Sequence, residues 1–95
     1  MKYQFSWSEE KNKILKITRN ISFEEVIEFI NKNDILDTIK NSSINYSNQE
    51  MFVICINNYV YIIPFVRKAP NSNEIFLKTI YKSRKYKKQY LGVKK

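Results

Sequence analysis

The order of residue patterns along this chain predicts an α+β domain: two N-terminal helices, an antiparallel β-meander of three to four strands, and a C-terminal helix. Three observations point there. Ser22 and Glu25 have the spacing of a capping box ahead of an apolar stripe. Asn57 and Asn58 separate two runs of β-forming residues, and asparagine tolerates the positive φ of a tight hairpin. Finally, 95 residues of which 43% are hydrophobic and 15% aromatic suffice for one core but not two, so 1–95 reads as a single domain.

Residues 2–6 read as a short edge strand or an extended lead-in. Ser8 then fits an N-cap, with Glu9 and Glu10 in the first turn, where the helix dipole favours carboxylates. Trp7, Lys11, Ile14, Leu15 and Thr18 recur at helical spacing, so Trp7, Ile14 and Leu15 are expected to anchor the first helix, with Asn20 ending it. In the second helix, Phe23, Val26, Ile27 and Ile30 form the buried stripe, and Ile21 with Val26 forms a hydrophobic staple across the cap. Residues 31–33 stop it. Residues 34–39 suit a short edge strand, and 41–48 a polar surface loop placed to act as a mobile flap. Strands are expected at 51–56, 59–67 and 74–82, followed by a helix at 83–91. Pro64 lies inside the second of these strands, so a bulge or an unpaired edge position is required there.

Charge divides the chain. Residues 1–50 hold seven Lys and Arg against eight Asp and Glu, net −1; residues 51–95 hold ten against one, net +9. Such asymmetry favours a polyanionic partner first and an acidic protein second. Cys55 is the single cysteine, set between isoleucines, which excludes an internal disulfide and suggests a buried, inert thiol. No histidine is present, which argues against a zinc site, and the lone glycine, Gly92, argues against a glycine-rich phosphate loop. The apolar run 51–66 is too short and interrupted to span a bilayer, and the N-terminus lacks a signal-peptide core. The expectation is a cytoplasmic protein.

The stretch 74–90 concentrates the chemistry. A strand leads directly into Lys82, Arg84, Lys85, Lys87 and Lys88, interleaved with Tyr81, Tyr86 and Tyr90. Phosphates and stacked bases are the ligands such groups suit best. A solvated helix bearing lysines for solubility would share this composition.

Five blocks, FSWSEEKN at 5–12, ISFEE at 21–25, QEMFV at 49–53, YVYIIPFV at 59–66 and IFLKTIYKSRK at 75–85, follow one another over nearly the whole chain. Together they resemble the BrnT-type toxins of bacterial type II toxin–antitoxin systems, within the wider RelE-like group. The resemblance implies a RelE-like fold and a metal-independent endoribonuclease that inhibits translation without a cofactor. It also implies a cognate antitoxin with a ribbon-helix-helix DNA-binding domain, through which alone operator DNA would be bound. Trp7, Lys11, Glu25 and Arg84 match family positions. Where many members have His-Gly, this chain has Arg19 and Asn20, so no histidine acid or base is available; the family's Ser-Ala-Arg reads Lys82, Ser83, Arg84.

RNA cleavage by its own 2′-hydroxyl needs the developing phosphorane charge stabilised and two protons moved. A guanidinium fork suits the phosphate, which makes Arg84 the first candidate clamp and Arg19 the second. Lys82, Lys78 and Lys85, crowded by like charge, are the candidates for proton transfer, with Lys82 placed in the catalytic set. Tyr81 and Tyr86 suit base stacking or proton transfer. Lys78, Lys85, Tyr86, Lys87, Lys88 and Lys11 complete the candidate RNA contacts, while Glu25 reads first as the capping-box acceptor. Two other functions fit the same residues: a non-catalytic module binding nucleic acid or antitoxin, and a basic protein-interaction domain.

Overall fold

The computed structural model describes residues 3–40, 49–69 and 71–91; the 41–48 loop expected to act as a flap lies outside them. Helix α1 (Glu9–Thr18) starts where Ser8 Oγ accepts from the Lys11 backbone N–H at 3.2 Å. It ends with Arg19 as C-cap and Asn20 in the left-handed region at φ 56°. Helix α2 (Phe23–Asn31) opens on the expected capping box: Ser22 N–H donates to Glu25 Oε1 at 3.0 Å, and Glu25 N–H to Ser22 Oγ at 3.2 Å. Ile21 and Val26, the expected staple, are both buried in the main core. Asn33, also left-handed at φ 61°, ends the helix.

The sheet is mixed and six-stranded: β1 (Gln4–Ser6), β2 (Asp37–Lys40), β3 (Gln49–Ile56), β4 (Tyr59–Arg67), β5 (Glu74–Leu77) and β6 (Tyr81–Lys82). The order β1-β5-β4-β3-β2 contains the expected meander as its four antiparallel strands. Two features depart from expectation. The lead-in strand β1 joins the sheet parallel to β5, pairing Phe5 with Ile75, so the sheet is not purely antiparallel. The third meander strand, expected unbroken over 74–82, is split into β5 and β6.

Pro64 explains the split. Its carbonyl accepts the Lys78 N–H at 2.8 Å, but it has no N–H to return to the residue facing it, so the β4–β5 ladder ends there. Pairing resumes one residue out of step. From Ile62 to Phe65 there are three steps on β4, whereas their partners Tyr81 and Leu77 are four apart. The required bulge therefore sits in the strand facing the proline. It also shifts the side-chain alternation, so Leu77 and Ile80, three residues apart, are both buried in the main core.

Helices α1 and α2 cover one face of the sheet. Leu15, Phe23, Val26 and Ile30 pack with Phe52, Ile54, Ile63, Phe65 and Leu77, and Phe52 stacks on Phe65 with centroids 4.2 Å apart. Each such side chain stabilises by about 1.5–3 kcal/mol. Trp7 joins this core as expected, its ring 5.7 Å from that of Phe23, although its indole N–H finds no partner among the described residues. Ile14 does not: it is 48% exposed, and Ile17 83%. The turn of α1 that reaches the core presents Leu15 and, one turn earlier, Asn12. Cys55, expected to be buried, is half-buried.

Asn12 joins the two helices. Fully buried, it accepts the Phe23 backbone N–H on Oδ1 and donates through Nδ2 to Glu24 Oε1, both at 2.8 Å. Its amide thus satisfies a second free donor at the start of α2. The bond from Asn12 Nδ2 to Glu24, more than any other influence, holds the Glu24 carboxyl below its ordinary range.

Helix α3 (Arg84–Leu91) lies on the opposite face, capped by Ser83, whose Oγ accepts from Tyr86 N–H at 3.2 Å. Tyr86 and Tyr90 pack on Val53, Val60 and Ile62. The Tyr90 hydroxyl donates to Asp37 Oδ2, tying α3 to β2 and pushing the phenol up to about 12. At the far end, Glu50 and Arg67 form a two-pronged pair at 2.5 and 3.2 Å, and Arg67 also donates to the Ser72 carbonyl.

Two outcomes are expected. Asn12→Ala leaves the buried Phe23 N–H unpaired and lowers unfolding stability by about 1–3 kcal/mol in denaturant titration, whereas Ile17→Ser stays within about 0.5 kcal/mol of wild type. Folding lowers the Glu24 pKa, so the Asn12–Glu24 contact stabilises fully above 4.5 and fades as pH falls through the folded value; Asn12→Ala should therefore flatten the acid side of the stability profile. Tyr90 shows the opposite sign. Its hydrogen bond contributes below the ordinary phenol value of 10.0 and is lost as pH rises through about 12. In a phenolate absorbance titration, Tyr90→Phe should remove a tyrosine that titrates at about 12.

Candidate nucleic-acid interface

The bulge opposite Pro64 also shapes the site. Ile80 lies outside the ladder, and its carbonyl accepts from Arg19 Nη1 at 2.5 Å. A guanidinium at the end of α1 is thereby fixed against the start of β6 while its remaining N–H groups stay available. Between these elements is a groove of about 530 Å³ lined by Ile17, Thr18, Arg19, Asn20, Tyr61, Tyr81 and Lys82. Residues 17–20 supply one side, β6 the other, and Tyr61, only 8% exposed, the floor.

A second groove, of about 610 Å³, is lined by Tyr59, Val60, Lys82, Ser83, Arg84, Lys87 and Lys88. Lys82 belongs to both grooves. Its ammonium lies 4.1 Å from the centroid of the Tyr59 ring, and that of Lys87 lies 4.7 Å from the same ring. Cation–π attraction thus gathers two lysines over one tyrosine, contributing about 0.5–1 kcal/mol each at an exposed site. The ring is carried at the hairpin end, where Asn57 and Asn58 take φ 54° and 69° and Ile56 pairs with Tyr59, as the tight turn requires.

Among the described residues the salt bridges are Arg67–Glu50 and Lys68–Glu74, both on the far side of the bulge. Arg19, Lys82, Arg84, Lys87 and Lys88 have no carboxylate partner among those residues, so the cations lining the grooves keep their field.

The expected site residues therefore divide. Arg19, Tyr81 and Lys82 meet in the first groove, and Lys82, Arg84, Lys87 and Lys88 in the second. Lys85 is exposed on α3, its ammonium 5.5 Å from the Tyr86 centroid, and Tyr86 itself is half-buried against the second apolar cluster. Lys78 is exposed at the bulge and lines neither groove. Lys11 sits in the first turn of α1, about 12 Å along the helix from Arg19, and lines neither. Glu25 is the capping-box acceptor.

Sequence reasoning missed Tyr59 and Tyr61 as groove residues. Both stand in an alternating strand, on the face that register assigns to Lys82, the partner of Tyr61. The signal lay in pairing β4 with residues 81–82 one step out of register, which needs the bulge to be known. Burial pushes the Tyr61 phenol up, with Tyr59 and Glu25 adding to it, so at neutral pH it is a protonated hydrogen-bond donor. Among the described residues, no three His, Cys, Asp or Glu side chains converge as metal ligands would, and no helix is long and apolar enough to cross a membrane. No protein family, curated protein or solved structure matches this chain.

Proposed function

We propose that this protein is a metal-independent endoribonuclease of RelE-like architecture, the toxin of a type II toxin–antitoxin pair, and that the two grooves hold its RNA. One observation carries the reading: Arg19, locked to the Ile80 carbonyl, shares a groove with Tyr61, Tyr81 and Lys82, and Lys82 continues that groove into the one lined by Arg84, Lys87 and Lys88. A chain of unpaired cations beside exposed tyrosines suits a single strand, whose backbone needs the charge and whose bases need the rings.

In the reaction, the 2′-oxygen attacks the adjacent phosphorus and the bond to the 5′-oxygen breaks. The 2′-hydroxyl gives up its proton and the leaving 5′-oxygen takes one, so the products end in a 2′,3′-cyclic phosphate and a 5′-hydroxyl. Arg19 and Lys82 stabilise the charge that grows on the phosphorane oxygens, Tyr61 donates a hydrogen bond to them, and Arg84, Lys87 and Lys88 hold neighbouring phosphates. Arg19 thereby takes the first place that the residue pattern gave to Arg84.

The cellular setting comes from the sequence resemblance: growth arrest in the cytoplasm, relieved by an antitoxin with a ribbon-helix-helix domain. One feature of the backbone supports it. Arg19 and Asn20 stand where many BrnT-type toxins have His-Gly, and the φ of 56° at Asn20 is one that glycine adopts most readily.

Purified protein should cleave single-stranded RNA in the presence of a chelator and leave cyclic-phosphate ends. Arg19→Ala should slow cleavage by roughly 10²–10³-fold, and Arg19→Lys should restore little because it lacks the fork. RNA that is bound but stays intact would replace this reading with the non-catalytic binding module. For affinity, Lys87→Ala and Lys88→Ala should each reduce the slope of log K against log salt by about 0.7 on single-stranded RNA. An unchanged slope would remove those lysines from the phosphate path.

A further inference from the structure

Strand β1 (Gln4–Ser6) ends one side of the sheet, and among the described residues no strand covers its outer edge. Backbone geometry fixes which groups are left over there. Gln4 N–H donates to the Asn73 carbonyl at 2.8 Å, so Gln4 turns its backbone groups toward β5. These groups alternate in direction along a strand, and Phe5 therefore turns its N–H and carbonyl outward. Side chains alternate as well. Tyr3, Phe5 and Trp7 stand on the side of the main core, each only half-buried, while Gln4 and Ser6 are exposed on the opposite side. The other edge strand, β2, is guarded: it carries Asp37 and Lys40, and Asp37 Oδ1 accepts the Thr38 N–H at 2.7 Å. β1 has neither a charge nor a proline to keep another strand away.

We propose that β1 pairs with β1 of a second copy of this chain, antiparallel about a two-fold axis perpendicular to the sheet, with Phe5 opposite Phe5 and Gln4 opposite Ser6. Such an axis keeps each face of the sheet on the same side in both copies, so side chains of the same face must stand opposite one another. Centring the pair on Phe5 satisfies that condition. It lets the outward N–H and carbonyl of each Phe5 bond to those of the other, and it uses all three residues of the strand. Tyr3 then faces Trp7 and Phe5 faces Phe5, aromatic to aromatic on one face, while Gln4 faces Ser6 on the other. Charge selects the same edge. Each copy carries +8, so two copies repel wherever uncompensated cations meet. β1 itself is uncharged, and Arg67 and Lys68, beyond β5, are paired with Glu50 and Glu74. A contact this short buries less than the roughly 1,200–2,000 Å² of a stable interface, so the pair exchanges with monomer. Both copies keep α1 and α2 on one side of the joined sheet, and their first grooves open in the same direction. The proposal stands apart from the RNA reading and does not depend on it.

Sedimentation equilibrium on nucleic-acid-free protein tests it. With rising concentration the mass should climb from that of one 11.5 kDa chain toward twice that value. Gln4→Lys with Ser6→Lys sets like charges opposite each other at both ends of the contact and should weaken dimerisation roughly tenfold or more. Gln4→Glu with Ser6→Lys sets opposite charges there and should restore it. Both positions are exposed and lie outside the grooves, so neither double variant disturbs the core or the site. Wild type that stays monomeric at all concentrations, or a mass that passes twice the chain's, would overturn the two-fold pair. A dimer that ignores Gln4→Lys with Ser6→Lys, or is not recovered by Gln4→Glu with Ser6→Lys, would overturn this edge and register. None of these outcomes bears on RNA cleavage.

Discussion

Pro64 lies in the strand flanked on both sides by other strands, facing Lys78 with a carbonyl to accept but no N–H to give. A ladder that loses one donor in its interior either ends or slips, and here it slips by one residue. That slip turns Ile80 inward to complete the core and leaves its carbonyl outside the ladder for Arg19. It also sets Lys82 opposite Tyr61, on the face that α1 reaches. Without the slip, residues 78–82 would continue the β5 register, and the groove between α1 and β6 would lack its far wall.

The other wall depends on the joint between the helices. Arg19 and Asn20 follow the last turn of α1, so their position depends on how firmly that helix is set against α2. Asn12 holds the two together by filling both of its hydrogen-bonding ends at the start of α2, and Leu15 buries the next turn. A buried amide with both ends satisfied fixes one relative placement of its partners, because any shift leaves a polar group unpaired at about 1–3 kcal/mol. The groove is thus bounded by two rigid constraints far apart in sequence, Asn12 on the helical side and Pro64 on the sheet side.

What the sequence disclosed follows from the range of each interaction. The capping box at Ser22, the turn at Asn57 and Asn58, the helix ends at Asn20 and Asn33 and the C-terminal helix are decided within a few residues, and local patterns sufficed. The strand 59–67 was legible for the same reason. The parallel docking of β1 on β5 joins residues 70 apart, and nothing in Gln4, Phe5 or Ser6 specifies a partner. Ile14 and Leu15 are adjacent and equally apolar, and only the packing of α1 decides that Leu15 turns inward. The proline announced an irregularity but not which strand would absorb it. For the site, the cations were visible by type, whereas Tyr59 and Tyr61 read as ordinary strand residues until register set them beside Lys82.

Net charge gives a blunter account of the chain than its pairing does. Counted along the sequence, Arg67 and Lys68 belong to the same basic half as Lys82 to Lys88. In the fold, Arg67 is half-buried between Glu50 and the rings of Tyr3 and Phe65, and Lys68 meets Glu74, so that end of the sheet is close to neutral. Among the described residues the cations around the grooves have no carboxylate partner, and two of them are held over an aromatic ring. A ring keeps lysines together without cancelling their charge, as a carboxylate would. Lysines spread for solubility alone need no such anchor. Gathering like charges raises the energy of the free protein, and an anionic ligand that crosses both grooves relieves that repulsion as it binds.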